Sequence, residues 1–237
     1  MKTTFYSNGK LLITGEYLVL DGAKALALPT KFGQNLIVEK SNNQEIEWKS
    51  YDSDGSIWFD ETILFSAITS TKPLEEESIK NTLITILREA NLLNPNLLSN
   101  SEGYTVTTEL SFPRKWGLGT SSTLIHNIAQ WFKIDAFTLL KNSFGGSGYD
   151  IACAQNDNPI IYHLEQEKPI VEKVKFNPNF AENLYFVYLN QKQNSKNAIA
   201  SYKEKKNNLE NQKEAINQIT QEVLNTENET SFVEALE

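Results

Sequence analysis

Pro113-Arg-Lys-Trp-Gly-Leu-Gly-Thr-Ser-Ser-Thr123 is the stretch that decides how this sequence is read. It separates an alternating run over 104–112, which predicts a strand, from residues 121–132, where Leu124, Ile125, Ile128, Ala129 and Phe132 fall on one helical face. A strand, a glycine turn and a helix in that order let backbone amides approach a ligand. The helix start offers unpaired N–H groups and the positive end of its dipole, and Thr120 or Ser121 can cap it. Such a turn suits an anion. No Lys precedes the hydroxyl residues as in a Walker loop, and the glycines lack dinucleotide-fingerprint spacing. The same composition fits an ordinary capped connection equally well.

Working outward, residues 10–20 read as a β-rich run interrupted by Gly15-Glu16-Tyr17, followed by the turn dipeptide Asp21-Gly22. Strands continue at 25–28 and 35–38, and Asp52-Ser-Asp-Gly55 joins two alternating runs as a hairpin. Ile79, Leu83, Ile86, Leu87 and Ala90 make a helical stripe, while 91–100 reads as a loop around Pro95. A short helix over 136–141 precedes Phe144-Gly-Gly-Ser-Gly-Tyr-Asp150, where a carboxylate follows a glycine turn. Asp150 there reads equally as a helix N-cap. A strand at 160–164 is followed by a connector over 168–183, a strand at 184–189, and a polar helix over about 195–226. The strand at 184–189 has no visible second strand to satisfy its backbone, so it either joins the first sheet or belongs to a unit that continues elsewhere. Two units split near residue 180 are expected.

Composition narrows the class. The chain has 237 residues with 22 Lys and Arg against 30 Asp and Glu, a net charge of −8, which argues against a nucleic-acid partner. One Cys forms no internal disulfide, and two histidines build no zinc cluster. No apolar run approaches the roughly 18–20 residues of a membrane span, and the first residues do not open onto a secretory core, so a cytoplasmic protein is expected. His126 lies off the apolar stripe of its helix, and His163 in its strand is no better placed for catalysis. Cys153 reads as a small buried apolar residue, and Trp116 either packs or shields a nucleotide.

Three segments together resemble the GHMP kinase superfamily. Residues 9–22, Gly-Lys-Leu-Leu-Ile-Thr-Gly-Glu-Tyr-Leu-Val-Leu-Asp-Gly, with 25–29 after them, are similar to its first motif in mevalonate kinase-like members. Residues 113–123 resemble its phosphate-binding P-x-x-x-G-L-G-S-S-A, with Thr120 for the first Ser and Ser122 for the Ala. Ser147-Gly-Tyr-Asp150 matches its S-G-x-D, and Gly148-Tyr-Asp-Ile-Ala152 spells the label of the GYDIA-type GHMP kinases.

The resemblance implies an α+β, two-domain fold. Residues 1–180 would form the ATP-binding domain, with a mixed or antiparallel sheet and helices. Residues 181–237 would form an incomplete ferredoxin-like second domain. It implies an ATP- and Mg2+-dependent kinase acting on a hydroxyl or phosphate, with mevalonate or phosphomevalonate the first acceptors to consider. A catalytically silent nucleotide-binding protein, or a kinase for homoserine or a sugar, is the alternative. Asp150 and Lys10 would be catalytic. Pro113, Gly117, Leu118, Gly119, Thr120, Ser121 and Ser122 would hold ATP, with Ser121 on the metal. Glu16, Tyr17, Ser147 and Gly148 would lie at the acceptor. One family feature is missing: 137–144 contains no acid for magnesium, and Asp135 is the nearest carboxylate. No nucleic-acid or membrane partner is expected, and the oligomeric state stays open, a homodimer included.

Overall fold

A computed structural model describes residues 2–74, 76–188, 199, 201, 202, 204 and 209–237. Seven strands form one mixed sheet, β1 (Lys2–Leu12), β2 (Ala25–Lys40), β3 (Glu45–Tyr51), β4 (Ile57–Leu64), β5 (Tyr104–Leu110), β6 (Ile160–Glu165) and β7 (Lys168–Lys173). They run in the order β4-β3-β5-β2-β6-β7, with β1 along the other edge of β2. β3 and β5 are parallel, and every other pair is antiparallel. The two β-rich runs at 25–28 and 35–38 are therefore one long strand. Its first part pairs β6 and its second part pairs β5.

The expected strand over 10–20 stops at Leu12. Residues Leu18–Asp21 form a 3-10 turn instead, because Gly15 at φ 87° leaves no room for a Cβ against Ala25 and turns the chain out of the sheet. Leu18, Val19 and Leu20 have strand-like composition, yet Val19 is buried by packing on β2 and β6.

Helices cover the sheet. These are α1 (Phe65–Thr69), α2 (Ile79–Leu93), α3 (Asn96–Ser99), α4 (Thr120–Phe132), α5 (Ala136–Ser143) and α6 (Tyr149–Ala154). The main core joins Leu36, Val38, Ile46, Trp48 and Val106 of the strands to Leu87, Ile125, Ile128, Phe132 and Leu139 of the helices. Segment 91–100 is thus largely helical, broken only around Asn94 and Pro95. α2 starts on Ser78, whose hydroxyl accepts from Asn81 N–H.

The connector expected over 168–183 contains β7. Gln166 and Glu167 sit at φ 50° and 63°, a hairpin turn built without glycine or asparagine. Described residues 184–188 are irregular and form no strand; Leu184, Tyr185, Phe186 and Val187 are exposed, and Leu189 lies outside the described residues. Most of 195–208 does too. The polar helix appears beyond it as α7 (Glu210–Asn225) and α8 (Glu229–Leu236). These helices pack Val223 and Phe232 against Leu26, Ile161 and Phe180, and Thr220 hydrogen-bonds Thr14 hydroxyl to hydroxyl at 2.8 Å.

Candidate active site

The 113–123 turn is pinned at both ends. Phe112 and Leu118 are buried with Leu110, and Trp116 packs edge-on against Phe32 at 5.7 Å, so the indole is used in packing. Arg114 lies 4.7 Å from the Trp58 ring and its backbone N–H donates to Asp52 at 3.0 Å. Pro113 opens the turn at φ −56°. α4 begins on Gly119 at φ 91° with no side-chain cap, contrary to the expected cap from Thr120 or Ser121. The Gly119 carbonyl is saturated by Thr123 N–H at 3.0 Å and by the hydroxyls of Ser122 at 2.8 Å and Thr123 at 3.1 Å. The first-turn N–H groups at Gly119 to Ser122 precede the first intrahelical bond and donate to no described residue, which suits them to an acceptor. Ser122 offers only its N–H, since its buried hydroxyl is bonded. The exposed Ser121 hydroxyl bonds no described residue.

Lys10 meets this turn from β1. Its backbone N–H donates to the Leu118 carbonyl at 3.0 Å, and a Cβ on Gly119 would lie 3.1 Å from Lys10 Cγ and 3.7 Å from its Cε. The approach depends on Gly9, where the β1–β2 register shifts. A Cβ there would stand 2.8 Å from the Leu118 carbonyl oxygen and 3.0 Å from that of Phe32. Only glycine lets the strand carry Lys10 this close to the helix start.

The third segment closes on the same place. Gly148, at φ 93°, is the N-cap of α6, and a Cβ would press on Tyr162 Oη and the Phe137 ring. The Tyr162 hydroxyl donates to the Ser147 carbonyl, fixing the turn ahead of the helix. Asp150 is therefore the second residue of α6 and not its cap, and its carboxylate accepts from Ile151 N–H at 3.1 Å. Burial raises the Asp150 pKa, opposed by the positive charge of Lys10 and by that N–H. Lys10 and Asp150 make no ion pair within 4.0 Å, and the Lys10 ammonium lies 5.3 Å from the centre of the Tyr149 ring. Burial also raises the Tyr149 and Tyr162 phenols and pushes the Cys153 thiol up to about 12, each reinforced by the Asp150 charge.

Glu16 and Tyr17 stand on the exposed turn after β1. The Glu16 charge adds to the rise at Tyr149, so this turn belongs to the same electrostatic neighbourhood. Tyr17, at φ 60°, stacks on Tyr202 with centroids 5.6 Å apart, and Tyr202 donates to Asp21 at 2.6 Å. Lys10, Gly119, Tyr149 and Asp150 are thus brought together, with Glu16 close by. Pro113 and Gly117 shape the turn without bonding to Lys10 or Asp150.

Carboxylates for a metal are sparse. Among the described residues no group of three His, Cys, Asp or Glu could hold an ion, and Asp135 is spent capping α5, accepting from Thr138 N–H and hydroxyl at 2.7 Å each. The histidines stay out of the site. His126 is bonded through Nδ1 to Ser7 at 2.7 Å and burial lowers its pKa to about 4.

Tyr149 and Tyr162 escaped sequence reading. Tyr149 fills the variable position of S-G-x-D, and its partner Lys10 lies far away in the chain.

No family model matches the sequence, and neither does any curated protein. Solved structures do match the fold. The mevalonate kinase of Methanococcus jannaschii aligns over 100% of this chain and 76% of its own, at TM-score 0.66 and 14% identity. The Streptococcus pneumoniae phosphomevalonate kinase, solved with phosphomevalonate and AMPPNP, aligns over 99% and 77%, at TM-score 0.68 and 14% identity. A D-glycero-D-manno-heptose 1-phosphate kinase of Bacteroides thetaiotaomicron aligns over 100% and 76%, at TM-score 0.58 and 16% identity. The chain has the α+β fold of these GHMP kinases.

Proposed function

We propose that this GHMP-fold chain is an ATP-dependent kinase that phosphorylates a small-molecule hydroxyl or phosphate, with mevalonate and phosphomevalonate as the first acceptors to test. The observation that carries it is the position of Lys10, with its stem against Gly119 at the open start of α4 and its ammonium beside Tyr149 and Asp150. One cation thereby serves both the anion-binding turn and the half-buried carboxylate. In this reading residues 1–180 form the ATP-binding unit and residues 181–237 belong to a second.

The chemistry needs position and charge more than covalent catalysis. The first-turn N–H groups of α4 and the Gly117–Gly119 backbone hold the nucleotide phosphates, and the Ser121 hydroxyl would hold a magnesium ion. Such an ion would supply positive charge that offsets the phosphates. Asp150 takes the proton of the acceptor hydroxyl as its oxygen bonds to the γ-phosphorus. The bond from that phosphorus to the β,γ-bridging oxygen breaks and ADP leaves. A carboxylate raised by burial is a better base for this step than an exposed one. Lys10 stabilises charge on the moving phosphoryl, and Glu16, Tyr17, Ser147 and Gly148 border the acceptor.

A coupled ADP-release assay with mevalonate, phosphomevalonate, homoserine and sugars tests the proposal. Turnover with one acceptor, falling by about 10²–10⁴ in Asp150→Asn, is expected; no turnover with any acceptor, or an undiminished Asp150→Asn, rejects it. The lack of a carboxylate cluster among the described residues favours one second reading, a nucleotide-binding protein without transfer activity. Thermal stabilisation by ATP with no ADP release would mark that outcome.

A further inference from the structure

We infer that Tyr149 is the positioning residue that sets the Lys10 ammonium between the phosphate turn and Asp150. The inference rests on the kinase reading for its catalytic consequence, but its geometry stands by itself. Lys10 emerges from β1 with its stem confined by Gly119, and a long lysine head is otherwise free to swing toward water. No carboxylate oxygen lies within 4.0 Å of it among the described residues, and no side-chain hydrogen bond fixes it. Among the described residues its close partner is the Tyr149 ring, at 5.3 Å to the centroid, inside the range in which a ring quadrupole attracts a cation.

The ring is itself held. Tyr149 is the first residue of α6, immediately after Gly148, whose tight contact with Tyr162 and Phe137 sets where the helix begins. Tyr149 packs against the cluster of Val19, Ala25, Ala27, Cys153 and Ile160. Because Asp150 follows directly on the same helix, one turn of chain places both the aromatic seat of the cation and the carboxylate that the cation serves. A direct ion pair would neutralise Asp150 as a base and tie up Lys10. A ring holds the ammonium nearby while leaving its protons for a phosphoryl oxygen.

The groups facing Asp150 are Lys10 from β1, Ile151 N–H, Tyr149 and Cys153 from α6, and Tyr162 from β6. Lys10 is the sole cation among them, so displacing it removes the charge that favours ionised Asp150.

The experiment compares Tyr149→Leu and Tyr149→Phe with the unsubstituted chain. For Tyr149→Leu, kcat falls about tenfold, as loss of a partly desolvated cation–π contact implies, while KM for ATP changes by less than about twofold. The acid limb of its kcat/KM profile moves to higher pH. Tyr149→Phe, which keeps the ring, recovers the loss to within about threefold. Independently of activity, NMR of the unsubstituted chain shows the Lys10 ε-methylene protons shifted upfield by the ring, and the shift disappears in Tyr149→Leu. Random-coil Lys10 shifts in the unsubstituted chain overturn the inference. So does equal loss in the Phe and Leu variants, or a Leu variant of full activity with an unmoved limb. An upfield-shifted Lys10 in a chain that turns over no acceptor supports the positioning and refutes the kinase reading alone. If Tyr149→Leu fails to fold, the Tyr149→Phe rates and the unsubstituted chain's Lys10 shifts decide.

Discussion

Gly9→Ala is expected to damage this protein far more than its chemical size suggests. The added methyl would lie 2.7 Å from Thr30 Oγ1, 2.8 Å from the Leu118 carbonyl oxygen and 3.0 Å from the Phe32 carbonyl oxygen. Two of these atoms are backbone, and the Thr30 hydroxyl is tied to the Phe32 carbonyl at 2.7 Å, so it cannot swing aside without breaking its own bond. Relief must come from separating β1 and the 113–119 turn, which stretches the Lys10 N–H to Leu118 bond of 3.0 Å. Overpacking costs about 1–3 kcal/mol and a lost hydrogen bond about 0.5–1.5, so about 2–4 kcal/mol is expected in all. For a chain of this length that lowers the melting temperature by about 5–15 °C. Gly55→Ala is the control. It has a positive φ of 80° but no heavy atom within 4 Å of its Cβ site, so it carries only a conformational cost of about 1 kcal/mol, or about 2–4 °C. Thermal unfolding followed by circular dichroism, with and without ATP, measures both. Gly9→Ala also loses most of its stabilisation by ATP, because the turn has moved. A Gly9→Ala chain that melts no lower than Gly55→Ala would refute the claim that β1 seats directly on the turn.

Three further outcomes are expected. Ser121→Ala leaves the melting temperature unchanged and lowers kcat/KM for ATP; Ser122→Ala, which removes the buried bond to Gly119, costs about 1 kcal/mol of stability, and a reversed pattern would contradict the assigned orientation of α4. His126, with a folded pKa of about 4 against an ordinary 6.5, is held neutral, so its stabilising contribution is complete above pH 6.5 and lost as pH falls toward 4. On the order of 3 kcal/mol is at stake, and unfolding against pH should be flatter in His126→Gln; an identical slope rejects the assignment. Asp150 has its pKa raised above 3.8, so ionising it disfavours the fold at neutral pH. Asp150→Asn should melt higher than the unsubstituted chain at pH 8, with the gap closing as pH falls toward 4. A variant that melts lower at pH 8 argues that Lys10, left without its carboxylate, is the costlier of the two charges.

Legibility followed the range of the cause. The 52–55 hairpin, α2 and α4 were readable because turn dipeptides and apolar spacing act over a few residues. β7 was not, since its turn uses Gln166 and Glu167, which carry no turn signature. Residues 184–188 have strand composition, but composition supplies no partner, and the structure gives them none among the described residues. Likewise the cap position of α4 falls on Gly119, whose left-handed φ of 91° only glycine adopts freely, which leaves Thr120 and Ser121 inside the first turn.

The sequence by itself determined three local devices: a glycine turn before a helix, a lysine after Gly9, and an aspartate after Gly148. Each is written in consecutive residues because backbone conformation and amide exposure are local properties. Their convergence was decided only by the tertiary structure. Lys10 reaches Tyr149 because β1 and α6 pack on the same elements, and Asp150 is raised because that packing removes its water. Distance and dielectric depend on which distant segments share a core, and no spacing along the chain encodes them.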